Sequence, residues 1–235
     1  MKYYRISYSI EKKIIGHNPQ VQKTTWDGRP YDKGSFAMQL LFDPIPINPA
    51  IPTFELYKST KITSLIHMGV VSGHLYLIFN ESFLEFLKPY CNGAFHIWKI
   101  KATKKEVDYT YYIFYLDEYK SDFINYDKST FKLFEDLGAF QYKDLDQEIK
   151  ITSDVDYLDK CREFLGLYGI PELQPVKIVL NTSNQEVDFF RCAHNGMAGY
   201  YVSERLKEAI LENGFTGMRF EEIEEIRKRV VIEYV

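Results

Sequence analysis

The chain has 235 residues, of which 46% are hydrophobic and 26% are charged, and its net charge is −4. These values predict a folded protein of one large or two small domains and exclude wholesale disorder. No run approaches the roughly 18 apolar residues of a membrane helix, and the first residues lack the pattern of a secretory leader, so we expect a cytoplasmic protein with no membrane contact.

Charged and aromatic residues are distributed in a way that suits a protein-binding surface. Residues 1–120 carry 15 basic and 11 acidic side chains, whereas residues 121–235 carry 14 and 22. The acidic C-terminal half would repel nucleic acid and attract a basic partner. A solvated acidic face that maintains solubility explains the same pattern. The 19 Tyr and 17 Phe residues likewise suit either an interface or a well-packed sheet.

The first 60 residues predict two strands and a proline-rich connection. Residues 3–8 and 36–42 have the apolar content of strands. Four prolines then fall within nine residues, a spacing that neither a helix nor a central strand tolerates. They are Pro44, Pro46, Pro49 and Pro52. We therefore expect a segment over 1–60 and a main domain over 61–235, folded either separately or as one unit.

A strand predicted over 75–79 is followed by the signals of a helix. Asn80 is a good N-cap, because its side chain can accept a hydrogen bond from a free amide of the first turn. The spacing of one buried helix face then recurs in Phe83, Phe86, Leu87 and Tyr90. Alternation from residue 95 predicts the next strand.

The same order of signals recurs near the C-terminus. Residues 199–202 predict a strand, and Ser203 is placed to cap a helix that ends at Gly214. Gly217 then turns the chain into a further strand. A shift of 123 residues superposes Asn80 on Ser203. This match predicts two related strand–helix–strand units, although so common an arrangement also arises twice by chance.

The region between the two units mixes strands and helices irregularly. Residues 109–116 predict an aromatic strand, and 154–167 predict a helix whose inward residues are Val155, Leu158, Leu165 and either Cys161 or Arg162. Pro171 and Pro175 are expected to interrupt the chain before strands over 176–180 and 187–191. The lack of a regular alternation favours an α+β fold, with mixed, mainly antiparallel sheets and a few packed helices.

The sequence lacks the common signatures of catalysis and cofactor binding. It has no G-x-G-x-x-G, G-x-x-x-x-G-K, G-x-S-x-G, H-E-x-x-H or C-x-x-C motif. Cys192 and His194 could supply two metal ligands, but no second pair stands at zinc-site spacing. The three G-x-x-G spacings lack the basic flanks of an RNA-binding loop. We predict a protein that is not an enzyme and that binds no cofactor, metal or nucleic acid directly.

Seven carboxylates crowd residues 144–163, namely Asp144, Asp146, Glu148, Asp154, Asp156, Asp159 and Glu163. Our preferred interpretation is an acidic patch that binds a basic partner. The spacing of the first three resembles half a calcium loop, but its glycine and terminal glutamate are missing. A glycosidase-like carboxylate pair and a simple solvated surface are the alternatives.

Three parts of the chain, taken in order, carry a family resemblance. They are the capped helix at 77–87, the segment 123–129, and the C-terminal stretches 201–210 and 214–220. Together they resemble the immunity protein 11 family of bacterial polymorphic-toxin systems over roughly residues 60–225. The C-terminal stretches are the most specific part, and Asn125 stands where the family usually has an acidic residue.

The resemblance implies a cytoplasmic immunity protein that binds and neutralises a cognate secreted toxin, often a nuclease, in competition between bacteria. It implies no catalytic residues. A tight protein–protein interface of this kind buries on the order of 1,600 Å² or more. Two alternatives stay open: an enzyme that uses surface carboxylates, and a regulatory module that binds a cellular protein.

Overall fold

The computed structural model describes residues 2–26, 50–67, 76–91, 94–116, 123–137, 141–165, 171–181, 187–192, 199–226 and 230–235. The strand predicted over 36–42 lies outside these residues, as do Pro44, Pro46 and Pro49. Pro52 begins a strand. None of the helices in the described part of the chain combines the length and the apolar character needed to cross a membrane.

Strands dominate the fold, which confirms the predicted α+β class with mainly antiparallel sheets. The described strands are β1 (Tyr3–Tyr8), β2 (Val21–Trp26), β3 (Pro52–Leu56), β4 (Leu77–Asn80), β5 (Phe95–Lys104), β6 (Val107–Leu116), β7 (Thr130–Asp136), β8 (Tyr142–Ile149), β9 (Pro171–Leu180), β10 (Phe189–Cys192), β11 (Gly199–Ser203), β12 (Met218–Glu222) and β13 (Val231–Tyr234). The helices are α1 (Lys12–Ile15), α2 (Glu81–Leu87), α3 (Asp154–Leu165), α4 (Glu204–Glu212) and α5 (Ile223–Ile226), with a 3₁₀ turn at Lys88–Tyr90.

These strands form three sheets. One has the order β10-β11-β1-β12 and is antiparallel throughout. The second has the order β13-β9-β7-β8, and the third has the order β2-β3-β5-β6-β4. The second and third are mixed, because β13 runs parallel to β9 and β3 runs parallel to β5.

Strand β1 lies in the middle of a sheet whose other strands all come from the C-terminal part of the chain. Tyr4 pairs with Val202 of β11 on one side and with Glu222 of β12 on the other. Tyr3 and Ile6 are buried in two different core clusters. The start of the predicted segment 1–60 therefore shares a sheet with the end of the predicted domain 61–235.

The two strand–helix–strand units have the same arrangement. In each unit the two strands flank an antiparallel strand from elsewhere in the chain: β6 lies between β4 and β5, and β1 lies between β11 and β12. Asn80 accepts a hydrogen bond from Phe83 N at 3.0 Å, and Ser203 accepts one from Leu206 N at 3.1 Å. Both predicted N-caps are therefore confirmed.

The helices of the two units pack into one shared core cluster. Phe83 and Leu87 of α2 are buried there together with Leu206 and Ile210 of α4. The shift of 123 residues that superposes the caps also superposes Phe83 on Leu206 and Leu87 on Ile210. The spacing therefore places matching side chains on the buried face of each helix.

The buried face of helix α3 agrees only in part with the one that its sequence predicts. Val155 is 67% exposed, so its predicted inward position is wrong. Cys161, one of the two predicted alternatives, packs against the core, together with Tyr157 and Phe164, which the spacing did not predict. The hydroxyl of Tyr157 donates to Leu173 O of β9 at 3.0 Å, and this bond together with the larger aromatic area fixes the rotation of the helix. The side chains of Leu158 and Leu165 lie outside the described part.

Strand β9 is longer than predicted, because it includes both Pro171 and Pro175. The prediction that these prolines interrupt the chain is wrong. The register of β9 against β7 shifts at Pro175, which lies opposite Phe131. A proline has no N–H to donate, and a bulge is one of the few places where a sheet accepts it.

Candidate partner-binding surface

The first three of the seven predicted carboxylates lie on β8, an edge strand that the sequence did not predict. Residues 143–148 are exposed on both faces of this strand. The sequence did not predict β8, because a strand that is exposed on both faces needs no alternation of apolar and polar residues. The edge carries Asp144, Asp146 and Glu148 at every second position.

A bulge reshapes this edge at Asp146, whose φ angle is +57°. The register against β7 shifts between Lys132 and Phe134, and Asp144 Oδ1 accepts a hydrogen bond from Asp146 N at 2.7 Å. Charges and bulges are the usual features by which an edge strand avoids pairing with another chain. The acidic edge therefore has a structural use besides any contact with a partner.

The ammonium group of Lys132 lies between two of these carboxylates. It is 3.1 Å from Asp144 Oδ2 and 3.0 Å from Asp146 Oδ1. The amide of Asp146 and then Lys132 hold the pKa of the Asp144 carboxyl below its usual range. Asp146 and Asp144 in turn raise the pKa of Lys132. A side-chain cation of the protein thus lies between the first two carboxylates of the spacing that resembles half a calcium loop.

The other four predicted carboxylates follow on α3, and three of them make local contacts. Asp156 accepts from Thr152 N at 2.8 Å and from Thr152 Oγ1 at 2.9 Å, in the turn before the helix. Asp159 pairs with Arg162 at 2.9 Å, and Glu163 pairs with Lys160 at 2.8 Å. Asp154 begins the helix, and its side chain lies outside the described part.

The carboxylates of β8 and α3, together called the acidic surface below, are therefore exposed but partly neutralised by the protein's own cations. Asp146 is 95% exposed, and Asp159 and Glu163 are each more than half exposed. The spacing of the two ion pairs on α3, three residues apart, is visible in the sequence. The contact between Lys132 and the carboxylates of β8 cannot be read from the sequence, because it depends on the pairing of β7 with β8.

A second polar cluster lies beside the cap of α4. Ser203 Oγ donates to Asp188 Oδ1 at 2.5 Å, and Arg205 Nη2 donates to Asp188 Oδ2 at 2.5 Å. Burial alone would raise the pKa of Asp188, but the hydrogen bonds from Arg205 and Ser203 outweigh it and lower that pKa. Ser203 and Asp188 are buried, whereas the Arg205 side chain is 62% exposed, so this cluster stabilises the helix start where it meets the surface.

The cysteines of the described region are partly buried thiols. Burial raises the pKa of Cys91 to about 12 and also raises the pKa of Cys161. A raised pKa keeps a thiol protonated and poorly nucleophilic at neutral pH. The predicted ligand pair includes Cys192, whereas His194 lies outside the described residues. Among the residues that the structure describes, no three His, Cys, Asp or Glu side chains are grouped closely enough to hold a metal ion.

No protein-family model matches this chain in a comparison with known families. A comparison with curated proteins likewise gives no match.

Proposed function

We propose that this chain is a cytoplasmic immunity protein that binds and neutralises a cognate secreted bacterial toxin, and that it is not an enzyme. The observation that supports the proposal is the C-terminal stretch 201–220, which resembles the immunity protein 11 signature. In the structure this stretch is a strand–helix–strand unit, with Ser203 as its cap and positive φ angles at Gly214 and Gly217. The cap and the two glycines have structural roles within the unit, so we propose that the unit serves as scaffold and that the toxin is bound elsewhere.

The acidic surface of β8 and α3 is the candidate contact surface for a basic toxin, such as a nuclease. Its carboxylates project from an edge strand and from the exposed side of the following helix. Their present partners are the side chains of Lys132, Lys160 and Arg162, and exposed ion pairs of this kind contribute only about 0–1 kcal/mol. A toxin's arginines and lysines can therefore displace them at small cost.

Co-expression with the toxin tests the function directly. The candidate toxin is the C-terminal domain of a large secreted protein, to be sought in the gene adjacent to that of this chain. The full chain should restore growth of cells that express this domain and should co-purify with it. Immunity proteins of other toxins serve as the negative control. Growth arrest that persists while the chain is well expressed, with no co-purification, would reject the proposal.

Charge reversal tests the contact surface separately. The variant combines Asp146→Lys, Glu148→Lys, Asp159→Lys and Glu163→Lys, and its control combines Glu11→Lys, Glu85→Lys, Glu208→Lys and Glu212→Lys at other exposed positions. Stopped-flow association with the toxin domain at low salt should be slowed about tenfold or more in the first variant only, because electrostatic steering depends on local charge. Equal slowing in both variants, or none, would place the toxin contact on another surface.

A further inference from the structure

The outer face of the five-stranded sheet contains a groove that is separate from the acidic surface. It crosses β2, β3 and β5 and has a volume of about 620 Å³. Thr25, Thr53 and Lys101 form one row across the three strands, and Lys23, Glu55 and Thr103 form the next. The alternate residues Phe54 and Leu56 point into the core, where each is 2% exposed. The floor of the groove is therefore the polar face of a sheet whose opposite face is packed.

Lysines supply most of the charge in this groove. Its lining includes Lys23, Lys58, Lys101 and Lys105 against Glu55 and Glu106. Lys101 pairs with Asp108 at 2.7 Å. Within the described part of the chain, the other three ammonium groups form no ion pair or side-chain hydrogen bond. This contrasts with the acidic surface, where four of the carboxylates contact lysine or arginine side chains.

The hairpin turn that carries Lys105 is strained. Lys105 and Glu106 connect β5 to β6 with φ angles of +48° and +67°. A two-residue turn of this kind favours Asn-Gly, since side chains beyond glycine cost about 1–2 kcal/mol each in the left-handed region. The tight hairpin requires these angles, since Lys104 pairs directly with Val107. Here the turn holds one lysine and one glutamate at the end of the groove.

The chemistry of the lining favours a polypeptide with acidic side chains. Carboxylates spaced two residues apart on an extended segment lie on one side, as do the groove residues of each strand. The amides of such a segment can also donate to Glu55, Glu106 and the threonine hydroxyls. A phosphodiester backbone offers acceptors only, and the groove presents no exposed aromatic ring on which a base could stack.

We propose that this groove binds an extended acidic segment of a partner protein. The site is separate from the acidic surface and opposite to it in charge, so it goes beyond the proposed immunity function. The proposal for the groove does not depend on the immunity function. It follows only from the residues that line the groove and from the chemistry of the ligand that they would bind.

Fluorescence anisotropy with labelled model ligands tests the groove in the full chain. The probes are a ten-residue peptide of alternating Glu and Thr, the matching Gln-Thr peptide, and a ten-nucleotide oligo-dT. The groove variant combines Lys23→Gln, Lys58→Gln and Lys105→Gln. Its control combines Lys128→Gln, Lys143→Gln and Lys150→Gln, three exposed lysines remote from the groove that give the same change in net charge.

The native chain should bind the Glu-Thr peptide more tightly than either other probe. The groove variant should bind it about tenfold more weakly, which corresponds to three exposed ion pairs of typical strength, and the control should change by less than twofold. Urea unfolding midpoints check that all three chains are equally folded. Equal weakening in both variants, no binding of the Glu-Thr peptide, or tighter binding of oligo-dT that only the groove variant loses would each overturn the proposal.

Discussion

Gly214 and Gly217 both have positive φ angles, +70° and +94°, but their surroundings differ. A Cβ atom on Gly214 would meet nothing within 4 Å, because this residue ends α4 at the surface. A Cβ atom on Gly217 would lie 2.1 Å from Leu65 O and 2.7 Å from the side chain of Thr63. The sequence predicts a turn at Gly217, and the structure adds a close contact with the chain at Thr63 and Leu65.

This difference predicts unequal costs for the same substitution. Gly214→Ala should lower the free energy of unfolding by about 1 kcal/mol, the strain of a positive φ angle alone. Gly217→Ala should lower it by about 3 kcal/mol or more, since strain and steric overlap add. Urea unfolding of both variants measures the comparison. Similar losses would contradict the tight contact at Leu65.

Asp188 makes stability depend on pH. Because its pKa is lowered in the folded protein, the ionised carboxylate stabilises the fold above the unfolded pKa near 3.8, and this contribution is lost as the pH falls through the folded pKa. Asp188→Asn should therefore cost about 2 kcal/mol at pH 7 and flatten the fall in stability between pH 5 and pH 3. Urea unfolding across this range measures both effects. The exposed Asp159→Asn is the control and should change stability by less than about 0.5 kcal/mol.

At the scale of elements, helix α3 provides a test of which face is buried. Tyr157 is 7% exposed and bonded to β9, whereas Val155 is 67% exposed. Tyr157→Ala should cost about 3–5 kcal/mol, because a buried aromatic ring is lost. Val155→Ala should change stability by no more than about 0.5 kcal/mol. Thermal or urea unfolding measures the two losses. The sequence periodicity alone, which places Val155 inward, predicts the larger loss for Val155→Ala.

The elements that the sequence predicted well are those with local signals. Asn80 and Ser203 were identifiable because a cap and the amide it binds are three residues apart. Strand β8 was missed because both of its faces are exposed, and the prolines of β9 were misjudged because a bulge accommodates Pro175. The seven carboxylates are evident from the composition of residues 144–163. The lysine that contacts Asp144 and Asp146 could not be predicted, because it comes from a neighbouring strand.

At the scale of the whole molecule, the groove and the position of β1 required the structure. The groove draws its lysines from β2, from the chain after β3, from β5 and from a hairpin turn, so no short stretch of sequence displays them together. The partners of β1 lie about 200 residues away along the chain, and nothing in its local sequence indicates them. Long-range pairing is the part of a fold that local patterns determine least.

The central position of β1 predicts that the N-terminal strand is indispensable. Deletion of residues 2–9 removes the strand that joins β11 to β12, and the product should lack a cooperative unfolding transition. Deletion of residues 231–235 removes only the edge strand β13 and should leave a folded, less stable protein. Circular dichroism with urea unfolding compares the two. A folded product from the first deletion would show that β11 and β12 can close the sheet without β1.

The placement of β1 also sets the order of events during synthesis. This strand leaves the ribosome before its partners, which follow only after about 200 more residues, or about 10–40 s of translation. For that time the nascent chain carries Tyr3, Tyr4 and Ile6 without the sheet that buries them. A chain that terminates before β11 and β12 never completes this sheet. Such chains are left exposed to chaperones and proteases.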